Sequence, residues 1–374
     1  MSPSTQNNSI STLLVRLWRH LSQRRQIQFW LLMGLMLISA FVEVISLGAV
    51  LPFLGILIVP EKIFNHPIVL HAAPNFGISS ADQLILPLTV TFAVVALLAG
   101  IFRILLLWAI TRMAFASGAD LSIEVYRRTL YQPYWVHMAR NSSEVISSIT
   151  QKVDNVVFNV LMPLMMMISS LVMLVAITAT LFFIDPIVAS AAILSFGSIY
   201  GLITWLVRKR LEYNSQRIAH EQTQVVKALQ EGLGGIRDVL MEGAQSLYCD
   251  VYRKADHSLR WSQGNINFIA DSPRYALESL GMILIIATAY ILSLEAGGLA
   301  EAMPVLGAMA LGAQRVLPAL QQGFGNWTRI ASSHASLIDT LKFLDQFLSE
   351  ENLKTDVTPL DFQDSIQYKN VGFR

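Results

Sequence analysis

Long uninterrupted apolar runs dominate the chain. The stretch 86–102, LPLTVTFAVVALLAGIF, carries no polar stripe at helical spacing, so it does not match a helix of a water-soluble bundle. About 20 apolar residues are enough to cross the hydrocarbon core of a bilayer. Six runs reach that length, and we predict transmembrane helices at about 27–59, 84–113, 157–184, 187–207, 275–294 and 299–320.

Two long polar segments between these runs also favour helix. From Thr111 to Asn155 the only proline is Pro133, and the stretch from Val207 to Ser272 has none. We therefore predict cytoplasmic helical hairpins at about 114–156 and 208–274, which extend the membrane helices into water. One hairpin is expected to break near Pro133 and the other at the glycines of EGLGGIRDVL, residues 231–240.

Residues 1–26 are predicted to form a cytoplasmic N-terminus with one amphipathic helix. Its apolar residues share a face and its basic residues lie off that face: Leu13, Leu14, Leu17, Trp18 and Leu21 against Arg16, Arg19 and His20. This pattern is typical of a helix in the membrane interface. A cytoplasmic amphipathic helix without membrane contact is the alternative.

Composition and charge agree with a membrane protein. The chain is 53% hydrophobic and 14% charged, whereas soluble domains have about 25% charged residues. Its net charge of +1 gives no basis for a nucleic-acid partner. The single cysteine, Cys249, excludes an intrachain disulfide and a cysteine metal cluster, and no other metal site is predicted.

The distribution of Lys and Arg sets the predicted orientation. These residues are frequent before the first span and in both hairpins, whereas the outer loop 60–83 has only Lys62. The positive-inside rule therefore places both termini in the cytoplasm.

The glycine-rich stretch 231–240 raises the question of a phosphate site. Such a site needs a strand, a glycine turn and a helix N-terminus, but residues 222–230 are predicted to be helical and no Gly-x-x-x-x-Gly-Lys-Ser/Thr pattern occurs in the chain. The stretch is better interpreted as a docking elbow for another protein. An ordinary helical turn with no partner stays open as the alternative.

In order and spacing, these features resemble the transmembrane half of an ABC exporter. The segments LYQPYWVH (130–137), SEVIS (143–147) and QKVD (151–154) resemble the first coupling segment of the family, and LQEGLGGIRDV (229–239) resembles the second. The last residues, SIQYKNVGFR (365–374), resemble the first strand of its ATP-binding domain. The resemblance implies a coupling role for Pro133, Tyr134, Trp135, His137, Glu231, Gly232, Gly234, Gly235, Arg237 and Asp238.

The same resemblance implies an all-α membrane protein with a six-helix domain at 27–345, followed by a linker and a truncated ATP-binding domain at 346–374. ATP and Mg²⁺ would bind in the missing domain and not to this chain, which holds no predicted catalytic residue. The complete transporter would be an ATP-hydrolysing translocase. The implied partners are a nucleotide-binding domain, a second transmembrane half and membrane lipid, in a bacterial inner membrane. The second half would be another copy of this chain in a homodimer, with a heterodimer as the alternative.

A narrower resemblance is to bacterial flippases for lipid-linked oligosaccharides. EKIFNHPIVL (61–70) is similar to the small amphipathic helix in their outer loop, and VISLGAVLPF (44–53) to their first span. Peptide, drug and other lipid exporters share the architecture, so the cargo stays open. A further alternative is a non-transporting membrane protein that binds or regulates a partner.

Five ionisable residues lie within or at the edge of the predicted spans: Glu43, Arg103, Arg274, Glu278 and Arg315. They lie roughly 21–28 Å from the predicted outer helix ends, at one level. They suggest an inward cavity for an anionic headgroup such as a diphosphate, with Arg315 the first candidate for cargo contact, then Arg103 and Arg274. The alternative is that Glu43 pairs with Arg103 and Arg274 with Glu278, leaving Arg315.

Overall fold

The computed structural model describes residues 9–58, 64, 81–184, 186–293, 316–347, 365, 369 and 372. Its helices are α1 (Ile10–His20), α2 (Gln23–Ile58), α3 (Ile85–Leu130), α4 (Tyr134–Met138), α5 (Ser142–Ser147), α6 (Val153–Val156), α7 (Met162–Ile184), α8 (Pro186–Gly234), α9 (Ile236–Met241), α10 (Gln245–Ser293), α11 (316–332) and α12 (His334–Leu344). A 3₁₀ turn precedes α3, and π-helical turns, Ser148–Lys152 and Val157–Leu161, join α5, α6 and α7. The predicted all-α fold is confirmed.

Three stretches in the described part of the chain are long and apolar enough to cross a membrane. They are Gln23–Ser46, Ile85–Leu130 and Ser142–Thr180, and they overlap the first three predicted spans. The fourth predicted span lies within α8, and the fifth lies in α10 up to Ser293. Most of the sixth falls outside the described residues, so the count of six spans stays a prediction.

The longest helices continue well beyond a bilayer. With 46 residues in α3 and 49 in each of α8 and α10, their lengths are about 70 Å, against a hydrocarbon core of about 30 Å. Because no proline interrupts α8 and Pro273 is tolerated inside α10, both helices run unbroken into the second hairpin. In the first hairpin, Pro133 directly precedes α4, as the predicted break required.

The amphipathic helix α1 buries its apolar face against protein. Leu13 is 0% exposed, and Leu13 and Leu17 share a core cluster with residues of α3, α6 and α12. Ser9 caps the helix by accepting a hydrogen bond from the Thr12 backbone N–H. This packing corresponds to the cytoplasmic-helix alternative, and contact of α1 with the membrane interface stays a prediction.

The π-helical turn Val157–Leu161 lies against α3 at Gly118. A Cβ added at Gly118 would come closer than 3.0 Å to the buried side chain of Val157, so any larger residue would force Val157 or one of the two helices to shift. Turns of this type are rare inside helices and often occur at functional sites.

Several predicted features fall outside the described residues. They are Arg315, the outer-loop helix at 61–70 apart from Phe64, and the strand at 365–374 apart from Ser365, Lys369 and Gly372.

Candidate functional site

A cavity of about 440 Å³ lies between α2, α3, α7 and α11, within the predicted membrane region. Most of its wall is aliphatic or methionine, and its polar residues are Ser39, Glu43, Arg103, Ser169, Ser170 and Gln322. The cavity volume falls within the usual range for sites that bind small molecules, about 300–1,000 Å³.

The charged centre of this cavity is the ion pair of Glu43 and Arg103. Arg103 Nε donates to Glu43 Oε2 at 3.0 Å, and Arg103 Nη2 donates to Glu43 Oε1, so the two groups form a bidentate pair. The Glu43 side chain is 1% exposed and that of Arg103 is 50% exposed. A buried carboxylate is costly without a partner, so Arg103 offsets the cost of burying Glu43 while half of the Arg103 side chain remains exposed.

The pair of Arg274 and Glu278 lies elsewhere. Arg274 Nε donates to Glu278 Oε1 at 2.8 Å, and neither residue lines the cavity of Glu43 and Arg103. Both side chains are exposed in the single chain. Both ion pairs predicted as the alternative to a cargo site, Glu43 with Arg103 and Arg274 with Glu278, are therefore present. Only the pair of Glu43 and Arg103 lines the cavity.

A hydrogen bond between α7 and α11 completes the polar wall. Ser170 Oγ donates to Gln322 Oε1 at 2.8 Å and lies 2.9 Å from the Met166 carbonyl. The sequence argument missed Ser170 and Gln322, because it considered only ionisable residues. Within an apolar run, uncharged polar residues at helical spacing are the signal that would have found them.

The tip of the first hairpin, formed by Pro133 and α4, exposes apolar side chains. Trp135 is 71% exposed, and Tyr134 and Met138 are exposed to a similar degree. His137 lies in the same short helix and is also exposed. Exposed large apolar residues on a polar hairpin are typical of a surface that binds another protein.

The tip of the second hairpin, residues 231–243, has the same character. Leu233, Leu240 and Met241 are exposed, and the exposed polar residues are Glu231, Arg237, Asp238 and Glu242. A helix and not a strand precedes the glycines, as expected: Gly232 and Gly234 lie in α8, and Gly235 separates α8 from α9. The reversal into α10 follows at Gly243, whose φ of 65° favours glycine.

Residues 344–347, the exit segment after α12, are held at the base of the first tip. Arg128 Nη1 donates to the Leu344 carbonyl and, at 3.1 Å, to that of Gln346, while Gln132 Nε2 donates to the Phe347 carbonyl at 3.1 Å. The end of the described bundle is therefore attached to the end of α3. These long-range contacts carry no local sequence signal.

The helix α1 also contacts the exit segment through Asp345. His20 Nε2 lies 2.8 Å from Asp345 Oδ1, and Arg16 Nη2 donates to Asp345 Oδ2. Burial raises the pKa of the Asp345 carboxyl, but the hydrogen bonds from His20 and Arg16 outweigh it and hold the pKa below its ordinary value. Asp345 thus ties the N-terminal helix to the end of the bundle.

An ion pair between the buried Lys152 and the partly exposed Asp339, which also pairs with Lys342 at 3.1 Å, anchors α12 to the first hairpin. Lys152 is 4% exposed and its Nζ lies 2.7 Å from Asp339 Oδ2. Beside it, Asn155 Nδ2 donates to Ser336 Oγ at 2.8 Å. The first hairpin, α1, α12 and the exit segment therefore form one connected unit.

The sequence and the fold both resemble known transporters. The sequence model of the family described as ABC transporter transmembrane region matches residues 62–294, more than half of the chain. Among solved structures, a bacterial Atm1-family ABC exporter with ATP bound aligns with a TM-score of 0.62 at 13% identity, over 87% of this chain and 54% of that one. This chain thus spans about half the length of that exporter. No curated protein matches it significantly.

Proposed function

Because the chain belongs to the family of ABC transporter transmembrane regions, we propose that it is the membrane-spanning half of an exporter for an amphipathic anionic cargo, such as a lipid-linked oligosaccharide. In this proposal both termini lie in the cytoplasm of a bacterial cell. An ATP-binding domain, which would hold ATP and Mg²⁺, drives the membrane helices between inward-open and outward-open states. ATP shifts this equilibrium only through its different affinity for the two states.

The observation that supports an anionic cargo most strongly is the half-exposed Arg103 in the cavity. Its Nε and Nη2 hold Glu43, which leaves Nη1 for a ligand. Arginine is well suited to phosphate oxygens because its guanidinium is planar and always charged. The aliphatic and methionine wall around it suits the apolar part of an amphipathic molecule.

The two exposed tips support docking of an ATP-binding domain. Both tips present large apolar side chains at the ends of the long hairpins, farthest from the predicted spans. Helices of about 70 Å are long enough to carry a displacement at a tip to the level of the cavity. The exit segment leaves the bundle beside the first tip, where a covalently attached domain would be well placed to dock.

A second transmembrane half is also part of the proposal. In the hairpins, outside the predicted spans, Ile123 and Tyr126 on α3 and Phe268 on α10 are exposed in the single chain. Apolar surface of this kind in a polar region favours a packed partner, and a second copy would supply one.

A peptide or drug is the second candidate cargo. The observation in its favour is that the Glu43–Arg103 pair is internally neutral and most of the cavity wall is apolar. An exporter of this kind would not depend on the charge of Arg103.

The proposal is tested with the complete protein in proteoliposomes, using a fluorescent lipid-linked saccharide and measuring its ATP-dependent translocation and its stimulation of ATP hydrolysis. The double variant Glu43→Gln/Arg103→Gln keeps hydrogen-bonding groups but removes both charges. We expect it to raise the cargo concentration for half-maximal stimulation about tenfold or more, because one charge-assisted hydrogen bond is lost.

The matched control is Arg274→Gln/Glu278→Gln, which removes an ion pair outside the cavity and is expected to leave stimulation unchanged. If Glu43→Gln/Arg103→Gln behaves like the control, the anionic cargo is refuted. Undiminished stimulation of that variant by an apolar drug would then support the second candidate.

A further inference from the structure

A second concavity, of about 530 Å³, lies between α8 and α10 in the second hairpin. Its lining is basic and aromatic: Arg217, Arg253, Lys254, His257, Ser258 and Trp261. It shares no residue with the cavity of Glu43 and Arg103. The exporter function proposed above assigns no role to it.

The guanidinium of Arg217 is held in position at this site. Its Nε donates to Ser258 Oγ at 2.7 Å, and its Nη1 donates to the Tyr213 hydroxyl at 2.9 Å. The Tyr213 ring also lies beneath it, with 6.0 Å between Cζ and the ring centroid. An arginine fixed in this way loses little further side-chain entropy when it binds a ligand through its remaining N–H groups.

The charges around the concavity leave a positive excess. Asp250 offsets Arg253 at 2.9 Å, and Glu221 lies behind the wall, where it accepts a hydrogen bond from Ser258 at 3.1 Å. Lys254 and Arg217 form no ion pair with any residue that the structure describes. No carboxylate belongs to the lining itself, so the concavity attracts anions.

The aromatic residues in the wall, and the distance between the concavity and the bilayer, indicate which class of ligand can bind. The rings of His257 and Trp261 are parallel within 12° and their centroids are 6.5 Å apart. Arg217 lies ten residues beyond the predicted end of the fourth span, and Lys254 lies 21 residues before the fifth, which places the concavity roughly 15–30 Å from the membrane. A lipid headgroup in the bilayer does not reach that far.

We propose that this concavity is a binding site for a water-soluble, phosphate-bearing anion. Lys254 and Arg217 provide the charge for its phosphate oxygens, and Trp261 with His257 contacts its less polar part. Occupancy of the site would join α8 to α10 midway between the predicted spans and the second tip.

The test is isothermal titration calorimetry of the 374-residue chain in nanodiscs of neutral phosphatidylcholine, with inorganic pyrophosphate as the probe. We expect saturable binding, and we expect Lys254→Ala to weaken it about tenfold because one charge-assisted contact is removed. The matched control is Arg260→Ala, on the same helix and with the same loss of charge. Arg260 is paired with Asp256 at 3.3 Å and does not line the concavity, so its loss is expected to change the affinity less than about twofold.

Three results would overturn the proposal. One is the absence of binding to the unsubstituted chain, and another is an equal loss of affinity in Lys254→Ala and Arg260→Ala, which would indicate attraction to general positive charge. The third is loss of pyrophosphate binding when phosphatidic acid replaces part of the phosphatidylcholine, which would identify a lipid headgroup as the ligand. Because the titration involves neither cargo nor ATP hydrolysis, its failure is distinct from failure of the exporter proposal.

Discussion

The contact of Gly118 with Val157 predicts a specific effect of adding one methyl group. In Gly118→Ala the new Cβ would overlap Val157, whose β-branched side chain is 4% exposed in the core between α3 and the π-helical turn. Overpacking of this kind costs about 1–3 kcal/mol, whereas alanine gains up to about 1 kcal/mol over glycine within a helix. The expected net result is a loss of about 0–3 kcal/mol of stability.

The matched control is Gly100→Ala on the same helix. A Cβ at Gly100 has no heavy atom within 4 Å, so the substitution is expected to be neutral or to stabilise by up to about 1 kcal/mol. The free energies of unfolding of the two variants should therefore differ by about 1–3 kcal/mol. The apparent Tm of Gly118→Ala should be equal to or lower than that of the unsubstituted chain, and the apparent Tm of Gly100→Ala equal to or higher than it.

The assay is thermal unfolding of purified protein in one detergent, followed by size-exclusion chromatography with fluorescence detection. The double variant Gly118→Ala/Val157→Ala extends it into a double-mutant cycle. Val157→Ala removes the methyl groups that the Cβ added at position 118 would meet. We therefore expect the double variant to be about 1–3 kcal/mol more stable than the sum of the two single effects would give. Additive effects, or equal Tm values for Gly118→Ala and Gly100→Ala, would refute the close approach of α3 to the π-helical turn.

Three further predictions follow from the unit around α12. Asp339→Leu should destabilise by about 3–5 kcal/mol by leaving the buried Lys152 ammonium without its partner, and Lys152→Met/Asp339→Leu should recover much of that loss in the same thermal assay. Leu13→Ala should cost about 2–5 kcal/mol while Val15→Ala on the exposed face costs little, and equal effects would contradict the burial of the α1 face in protein. Because the pKa of Asp345 is lowered, attachment of α1 should be fully present above the usual carboxyl pKa of about 3.9 and lost as pH falls through the lower folded value. Limited proteolysis of α1 across that range should show the change, and Asp345→Asn should abolish the pH dependence.

Local sequence signals predicted most of the secondary structure. Apolar runs without polar stripes led to the membrane helices, and the scarcity of proline led to the long extensions of α3, α8 and α10. Pro133 marked the first break because proline cannot continue a helix by donating a backbone hydrogen bond. The second break lies at the expected glycines, since α8 ends at Gly234 and α9 begins after Gly235. The chain reverses later, at Gly243, because that residue adopts a positive φ that the sequence alone does not distinguish from the other glycines.

Ion pairs between residues far apart in the sequence could not be predicted from local signals in the same way. The sequence argument identified Glu43 and Arg103 as exceptional charges, but it left their pairing open because two charges on different helices meet only when the helix faces are known. It missed the pair of Lys152 and Asp339, since both residues belong to polar segments where charge is ordinary. The apolar face of α1 was predicted to contact the membrane interface, whereas it packs against protein. Periodicity identifies the face of a helix that is buried, but it does not identify the surface that covers that face.

In the proposed exporter, the two exposed tips transmit ATP-driven motion to the cavity. The most direct measurement compares ATP hydrolysis with cargo translocation in proteoliposomes of the complete protein carrying Trp135→Ala/Leu240→Ala, which truncates one exposed apolar side chain at each tip. We expect a folded protein that still binds and hydrolyses ATP but translocates at least about tenfold less cargo per ATP, because docking contacts of this kind contribute about 1 kcal/mol or more each. Translocation per ATP equal to that of the unsubstituted protein would contradict this expectation.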